Sequence, residues 1–109
     1  MTTLTHAMVL AAGLGLRMRP LTLERPKPLI PVAGKPLLDH ALDRVAAAGI
    51  GTAVVNTHYK GEMIADHLAG RTSPRILLSP EADLLETGGG IRQALPLLGT
   101  DPFLSVNSD

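Results

Sequence analysis

The segment from Gly13 to Pro36 constrains the fold more than any other part of the chain. It contains five prolines and three glycines, a density that excludes a regular helix and favours a fixed, extended path. A long loop inside a compact domain is usually functional. Directly before it, Met8 to Ala11 forms a continuous apolar run that predicts a strand buried on both faces. We therefore expect a buried strand that leads into a loop with a specific task.

The rest of the sequence alternates between helix and strand patterns. The predicted elements are a helix opened by Pro36 and closed by Gly49, a strand at Thr52–Asn56, a helix at Gly61–Ala69, a strand at Arg75–Ser79, a helix with Thr87 as its N-cap, and a strand at Phe103–Asn107. Pro96 is expected to end or kink the last helix. Such alternation predicts an α/β fold with a mainly parallel sheet, right-handed connections and helices on both faces.

Composition removes several classes of function. The chain has 109 residues, enough for one domain or part of one, with ten basic and ten acidic residues. This balance argues against binding to DNA or anionic membranes, and the single Phe103 and Tyr59 with no Trp argue against single-stranded nucleic acid. The sequence has no cysteine, which excludes disulfides and thiolate metal sites and favours the cytoplasm. We expect neither a nucleic-acid nor a membrane partner.

A ligand of an open parallel sheet lies beyond the carboxyl ends of its strands. Four segments are expected to converge there: the Gly13 loop, Ser79 to Glu81, Thr87 to Gly90, and Asp109.

The first of these segments has the chemistry of a polyphosphate site. Gly13 and Gly15 allow backbone amides to approach a polyphosphate, and the guanidinium of Arg17 can bind a phosphate through two hydrogen bonds. Lys27 adds a point cation between two prolines that stiffen its backbone.

Two common phosphate-binding motifs do not fit this loop. A dinucleotide fingerprint needs a small residue where Met18 stands, and the Gly-Lys-Ser/Thr ending of a P-loop is absent. The stretch does match the pattern Leu-Ala-Ala-Gly-x-Gly-x-Arg-Met-x-Pro-Leu-Thr-x-x-x-Pro-Lys-Pro, which runs here from Leu10 to Pro28. Agreement at so many fixed positions is not expected by chance.

In this pattern the chain resembles the sugar-1-phosphate nucleotidyltransferases, and the resemblance extends over its whole length. It also includes Pro31 to Pro36, the Glu86 to Gly90 turn and the Val106 to Asp109 strand end. Ser79 to Glu81 together with that turn most resembles the small bacterial members that transfer uridylyl to N-acetylmuramic acid 1-phosphate, and mannose-1-phosphate guanylyltransferases are near rivals. Leu16 departs from the family, which often has Ser or Thr there.

The resemblance implies a Rossmann-like three-layer nucleotidyltransferase fold and a set of roles. Arg17 and Lys27 would be catalytic, and Asp109 would bind Mg²⁺. The nucleotide would be bound by Leu10, Ala11, Ala12, Gly13, Gly15, Glu81, Gly88 and Gly89. The substrates would be a nucleoside triphosphate and a sugar 1-phosphate, and homo-oligomer formation is left open.

Other hypotheses remain beside this one. A non-catalytic nucleotide-sensing domain of the same fold is disfavoured by the presence of Arg17, Lys27 and Asp109 together. A nicotinamide-binding domain is disfavoured because the second strand ends in Asn56-Thr57 without an acidic residue. The four histidines and Asp39, Asp43 and Arg44 are interpreted as surface residues.

The resemblance also implies that part of the enzyme is missing from this sequence. Members of the family bind metal between two aspartates and hold the sugar in a second half of the fold, and neither the second aspartate nor that half is in this sequence. We therefore expect residues 1–109 to be the N-terminal nucleotide-binding portion of a longer domain.

Overall fold

The computed structural model describes residues 4–13, 20–85, 87–99 and 102–108. Its elements are β1 (His6–Leu10), α1 (Leu21–Glu24), β2 (Pro31–Val32), β3 (Lys35–Pro36), α2 (Leu37–Ala47), β4 (Thr52–Thr57), α3 (Gly61–Leu68), β5 (Arg75–Pro80), α4 (Thr87–Leu98) and β6 (Leu104–Asn107). No helix in this part of the chain has the length and apolar character needed to cross a membrane.

Four strands form a parallel sheet in the order β5-β4-β1-β6, which confirms the predicted fold class. The chain moves from β1 outward through β4 to β5 and then returns to the opposite side of β1 with β6. The strand order therefore reverses at β1. In open α/β sheets this point, outside the carboxyl ends of the strands, is where ligands bind.

Helices cover both faces of the sheet, as predicted from the alternation of elements. Alternate residues of the central strands point to opposite faces: Ala7 and Val9 pack in one core with Leu38 and Leu42 of α2 and with Ile64 of α3. On the opposite face, the core contains Met8, Val54, Ala94 and Leu98. The outward crossovers thus use one face and the returning crossover the other, as right-handed connections require.

The loop before α2 is more structured than its prolines suggested. One helical turn forms at Leu21–Glu24, a 3₁₀ turn at Lys27–Leu29, and β2 pairs with β3 in a short hairpin. The prediction of an extended path was wrong, because Pro20 and Pro26 flank a window of five residues that contains no proline and can close one helical turn. The hairpin turns through Ala33 and Gly34, which both have positive φ, as a type I′ turn requires.

The last helix was expected to end or kink at Pro96. It continues for two residues beyond Pro96 to Leu98, so the proline does not end it. It ends instead at Gly99, whose φ of +80° is in the left-handed region that glycine adopts readily. Its described start already includes Thr87, which was expected to precede the helix as its N-cap.

An ion-pair cluster joins the hairpin, α2 and the loop after α3. Asp43 of α2 accepts hydrogen bonds from Lys35 of β3 and, at 2.8 Å, from Nη2 of Arg71. The hydrogen bonds from Lys35 and then Arg71 lower the pKa of Asp43 from 3.8 to about 2. The sequence had assigned Asp43 to the solvated face of its helix, but the carboxylate ties three segments together.

Replacing Asp43 by Asn is expected to reduce the loss of stability on acidification. A carboxyl group whose pKa is lowered by folding stabilises the fold above its unfolded pKa, and this contribution is lost as the pH falls from about 4 toward 2. Because the side chain is 45% exposed, we expect about 1 kcal/mol or less at neutral pH. Urea unfolding at pH 7 and at several values between about 4 and 2 measures the difference.

The matched control is Asp66→Asn on α3, whose exposed carboxylate has no ion-pair partner among the described residues. Its variant should follow the parent protein at every pH. Equal behaviour of the two variants would contradict the assigned role of Asp43.

Candidate active site

The carboxyl end of β1 is anchored to the strand that returns beside it. Ser108 follows β6, and both its backbone N–H and its hydroxyl donate to the carbonyl oxygen of Leu10, at 3.3 and 2.8 Å. Ser108 is buried, with 5% of its surface exposed. The motif from Leu10 to Pro28, called the signature segment below, therefore begins at a fixed point where the strand order reverses.

A chain of hydrogen bonds anchors β1 on its other side. The backbone N–H of Ala11 donates to Oδ1 of Asn56 at 2.6 Å. The Nδ2 of Asn56 donates to Oε2 of Glu81 at 3.0 Å, and Oε1 of Glu81 accepts the backbone N–H of Leu85 at 3.1 Å. These contacts connect the ends of β1, β4 and β5 with the segment that leads into α4.

Glu81 is held through its backbone as well as its side chain. Its N–H donates to the carbonyl of Thr57 at 2.7 Å, and its own carbonyl accepts a hydrogen bond from Nδ1 of His58 at 2.7 Å. Nearby, the amide of Gln93 donates to the carbonyl of Pro80 at 2.7 Å and ties α4 to the end of β5. The end of β5 is therefore fixed from three sides.

The glycines of α4 lie in different surroundings. A Cβ atom added at Gly90 would stand 2.8 Å from Oε2 of Glu81 and 3.0 Å from Nδ2 of Asn56, whereas one added at Gly88 would meet nothing within 4 Å. At Gly89 it would lie 3.3 Å from Cβ of Leu85. Gly90 thus allows the helix to pack on the Asn56–Glu81 pair, and Gly88 faces open space.

The other predicted nucleotide-binding residues that the structure describes lie at the end of β1 and directly after it. Leu10 is half-buried, Ala11 and Ala12 are buried, and Gly13 is exposed with no atom within 4 Å of an added Cβ. Lys27 starts the 3₁₀ turn, and its carbonyl accepts the backbone N–H of Ile30 at 3.0 Å. Leu29 of the same turn is in the core with α2, so the backbone that carries Lys27 is anchored.

Several predicted site residues lie outside the described residues. They are Gly15, Arg17 and Asp109, together with the atypical Leu16. Within the described ranges, no group of three histidine or carboxylate side chains could hold a metal ion. The site roles assigned from the sequence therefore stay predictions.

The structure reveals two residues of this region that sequence reasoning missed, Asn56 and Gly90. Asn56 was noted only as a non-acidic strand end, yet a polar residue that closes the apolar run Ala53–Val55 was a signal of a role at the ligand end of the sheet. Gly90 could not be distinguished from its two glycine neighbours, because only the packing of α4 sets it apart.

A groove of about 600 Å³ runs along α3 and the end of β5, lined by residues such as His58, Lys60, Met63 and Leu78. None of the described signature residues lines it. Glu81, a predicted nucleotide-binding residue, does line it, so the groove reaches the carboxyl end of β5.

Residues 6–109 match the model of the nucleotidyl transferase family. The sequence is 56% identical to N-acetylmuramate alpha-1-phosphate uridylyltransferase of Caulobacter vibrioides, over 94% of this chain and 45% of that protein. The enzyme of the same name from Neisseria meningitidis is 54% identical over 94% of this chain and 46% of its own length. Mannose-1-phosphate guanylyltransferase of Mycobacterium tuberculosis is 39% identical over 94% of this chain and 29% of its own length. The chain thus spans less than half the length of these curated relatives.

Solved structures of the same fold agree with these similarities. HddC from Yersinia pseudotuberculosis, crystallised with GMP-PN, superposes with a TM-score of 0.84 at 26% identity, over 97% of this chain and 48% of that one. UDP-glucose pyrophosphorylase with UDP-glucose gives a TM-score of 0.83 at 21% identity, over 96% of this chain and 45% of that one, which shows the fold alone.

Alanine substitutions at Gly90 and Gly88 are expected to have opposite effects on stability. At Gly90 the new methyl group collides with a buried hydrogen-bonded pair, and such overpacking costs about 1–3 kcal/mol. At Gly88 it meets open space, and alanine's higher helix propensity should stabilise the protein by up to roughly 1 kcal/mol. Urea unfolding of both variants provides the test, with each glycine as the control for the other. Equal stabilities would be inconsistent with this packing.

Proposed function

Because the chain belongs to the nucleotidyl transferase family, we propose that the protein transfers a nucleoside monophosphate from a nucleoside triphosphate to a sugar 1-phosphate and releases pyrophosphate. The proposed substrates are UTP and N-acetylmuramic acid 1-phosphate, by analogy with the two uridylyltransferases that are 56% and 54% identical. Residues 1–109 would form the N-terminal nucleotide-binding portion of this enzyme, which we expect in the cytoplasm in a pathway that supplies cell-wall sugars.

The observation that carries the proposal is the position at which the signature segment begins. Leu10 ends β1 at the reversal of strand order and Ala11 to Gly13 follow it, and their start is held by Ser108 on one side and Asn56 on the other. A loop that receives a triphosphate needs such a rigid origin, since catalysis by positioning depends on sub-ångström placement of the reacting groups.

The proposed reaction requires positive charge near the phosphates more than covalent catalysis by the protein. An oxygen of the sugar 1-phosphate attacks the α-phosphorus, the bond from the α-phosphorus to the bridging oxygen breaks, and pyrophosphate leaves with that electron pair. Arg17 would hold the β- and γ-phosphates and the departing pyrophosphate, and Lys27 would neutralise charge at the α-phosphate or the attacking phosphate. At an effective dielectric of about 20, a cation roughly 4 Å from an anion contributes about 4 kcal/mol.

Mg²⁺ is the proposed metal, with Asp109 as the ligand in this sequence. A carboxylate oxygen suits a hard divalent cation, and the preceding residue, Ser108, is fixed beside Leu10 by two hydrogen bonds. When bound, the cation would supply positive charge to the reacting phosphates.

The base and ribose are assigned to the start of α4. Gly88 borders open space, so a planar group could approach the helix backbone there without meeting a side chain. Gly89 adjoins Leu85, and Glu81 lies beneath this turn through its bond to the Leu85 amide. We therefore propose that the nucleotide extends from the signature segment to the first turn of α4.

A GTP-dependent transfer to mannose 1-phosphate is the second candidate. It is favoured by the 39% identity to the mycobacterial guanylyltransferase and by the likeness to HddC, whose structure holds GMP-PN. A non-catalytic nucleotide-sensing domain of the same fold is the third.

A substrate panel tests these candidates. The protein used is the extended protein, meaning residues 1–109 continued to the length of the curated relatives. Each of UTP, GTP, CTP and dTTP is incubated with N-acetylmuramic acid, mannose and glucose 1-phosphates, and pyrophosphate is measured. Release with UTP and N-acetylmuramic acid 1-phosphate is expected. Release only with GTP and mannose 1-phosphate favours the second candidate, and silence with every pair favours the third.

Removing either signature cation should abolish most activity without unfolding the protein. Arg17→Ala and Lys27→Ala are each expected to lower kcat/KM by roughly a hundredfold or more, because a few kcal/mol of charge stabilisation is lost and each 1.4 kcal/mol is tenfold. Steady-state pyrophosphate release measures the loss. Arg75→Ala is the control, since this exposed arginine begins β5 at the opposite end of the sheet. A loss in the control equal to that at Lys27 would count against the assigned role.

The 109 residues alone are expected to bind nucleotide weakly and to release pyrophosphate poorly or not at all. The reason is that the chain spans less than half of the uridylyltransferases it matches. Calorimetric titration with UTP and the same pyrophosphate assay test this expectation. Turnover comparable to that of the extended protein would refute it.

A further inference from the structure

The hydrogen-bond chain through Asn56 and Glu81 has a direction that restricts which residues can form it. Both of its ends are backbone donors, the N–H of Ala11 and the N–H of Leu85. The two side chains must therefore offer an acceptor at each end, and they must supply one donor and one acceptor where they meet. One amide and one carboxylate satisfy this requirement, as in this chain.

Two amides or two carboxylates at positions 56 and 81 would interrupt this series of hydrogen bonds. With two amides, each must turn its oxygen to a backbone N–H, and two NH₂ groups then face each other. With two carboxylates, two negatively charged oxygens face each other, and one group must take up a proton to restore the contact. The requirement is strict because both residues are only 4% exposed, so water cannot satisfy a group left without a partner.

The carboxylate of Glu81 is poorly placed to contact a nucleotide itself. Each oxygen already accepts a hydrogen bond, from Asn56 and from Leu85. Gly90 packs against the same carboxylate so closely that an added Cβ would stand 2.8 Å from Oε2. The residue's backbone is fixed by Thr57 and His58. The residue is only 4% exposed, and its carboxylate is already used for contacts within the protein.

We propose that Asn56 and Glu81 are a pair of positioning residues that set the phosphate-binding loop and the start of α4 at a fixed separation. The pair holds the loop through the Ala11 amide and the α4 side through the Leu85 amide and Gly90. It acts on the nucleotide through these two segments, without contact between the Glu81 carboxylate and the base. This inference rests on the proposed function, because it concerns how the same nucleotide site is built.

The direction of the hydrogen-bond series provides a sharp test. Exchanging the amide of Asn56 and the carboxylate of Glu81 between the two positions keeps an acceptor at each end of the series. In the double variant Asn56→Asp/Glu81→Gln, the aspartate would accept from Ala11 and from the new glutamine, and the glutamine oxygen would accept from Leu85. The number of hydrogen bonds and the net charge are unchanged, but the negative charge moves to position 56. Glu81→Gln must lose one hydrogen bond of the series, and Asn56→Asp places two carboxylates face to face.

The experiment compares the parent, both single variants and the double variant of the extended protein. Urea unfolding reports stability, and calorimetric titration with UTP and the KM and kcat of pyrophosphate release report the site, all at a temperature where every variant is folded. We expect each single variant to bind UTP at least tenfold more weakly. The double variant should recover both stability and UTP affinity to within about threefold of the parent. A single variant that fails to fold leaves the double variant to decide the matter.

Three results would overturn the proposal. A double variant that regains stability but keeps the weak UTP binding of Glu81→Gln would show that the carboxylate contacts the nucleotide directly. Single variants that lose stability but bind UTP normally would reduce the pair to a structural role. Single effects that simply add in the double variant would show that the two residues do not act as a pair. A parent protein that binds no nucleoside triphosphate would instead reject the proposed function, and the inference with it.

Discussion

The anchoring of the carboxyl end of β1 is the constraint on which the rest of the site depends. On the β6 side, Ser108 donates twice to the carbonyl of Leu10, and on the β4 side Asn56 accepts the amide of Ala11. These contacts use backbone groups that the strand leaves unpaired where its ladder stops, which would otherwise be costly to bury. The same bonds that satisfy the end of the sheet therefore also fix the origin of the loop that follows.

The order of the strands explains why this one point gathers so many contacts. Helices α2 and α3 lie on one face of the sheet and α4 lies on the other. The chain changes from one face to the other when it returns from β5 to β6, which pairs with β1. Gly90 brings α4 close to the end of β4, and Gln93 ties the same helix to the end of β5. Helix α4 thus contacts the sheet through polar groups at the carboxyl edge and through apolar side chains beneath it.

Much of this architecture could be predicted from the sequence, because it depends on patterns within short windows. The apolar runs that form β1, β4 and β5 and the helical spacing of α2 were recognised correctly. The turn at Leu21–Glu24, the continuation of α4 past Pro96 and the ion pairs of Asp43 were not, since tertiary packing decides them. For the site, the signature motif indicated the loop. The partners of Asn56, 45 positions before it and 25 positions after it, could not be read from any local pattern.

The donor-to-acceptor direction of the hydrogen bonds through Asn56 and Glu81 has an evolutionary consequence. Codons for asparagine and aspartate differ by one nucleotide, as do those for glutamate and glutamine, so the exchanged arrangement is only two mutations away. Either mutation alone leaves two like groups facing each other in a site that is 4% exposed. Descendants of this sequence are therefore expected to inherit the amide and the carboxylate as one unit, and a lineage that carries the reverse order must have crossed an intermediate of lower fitness.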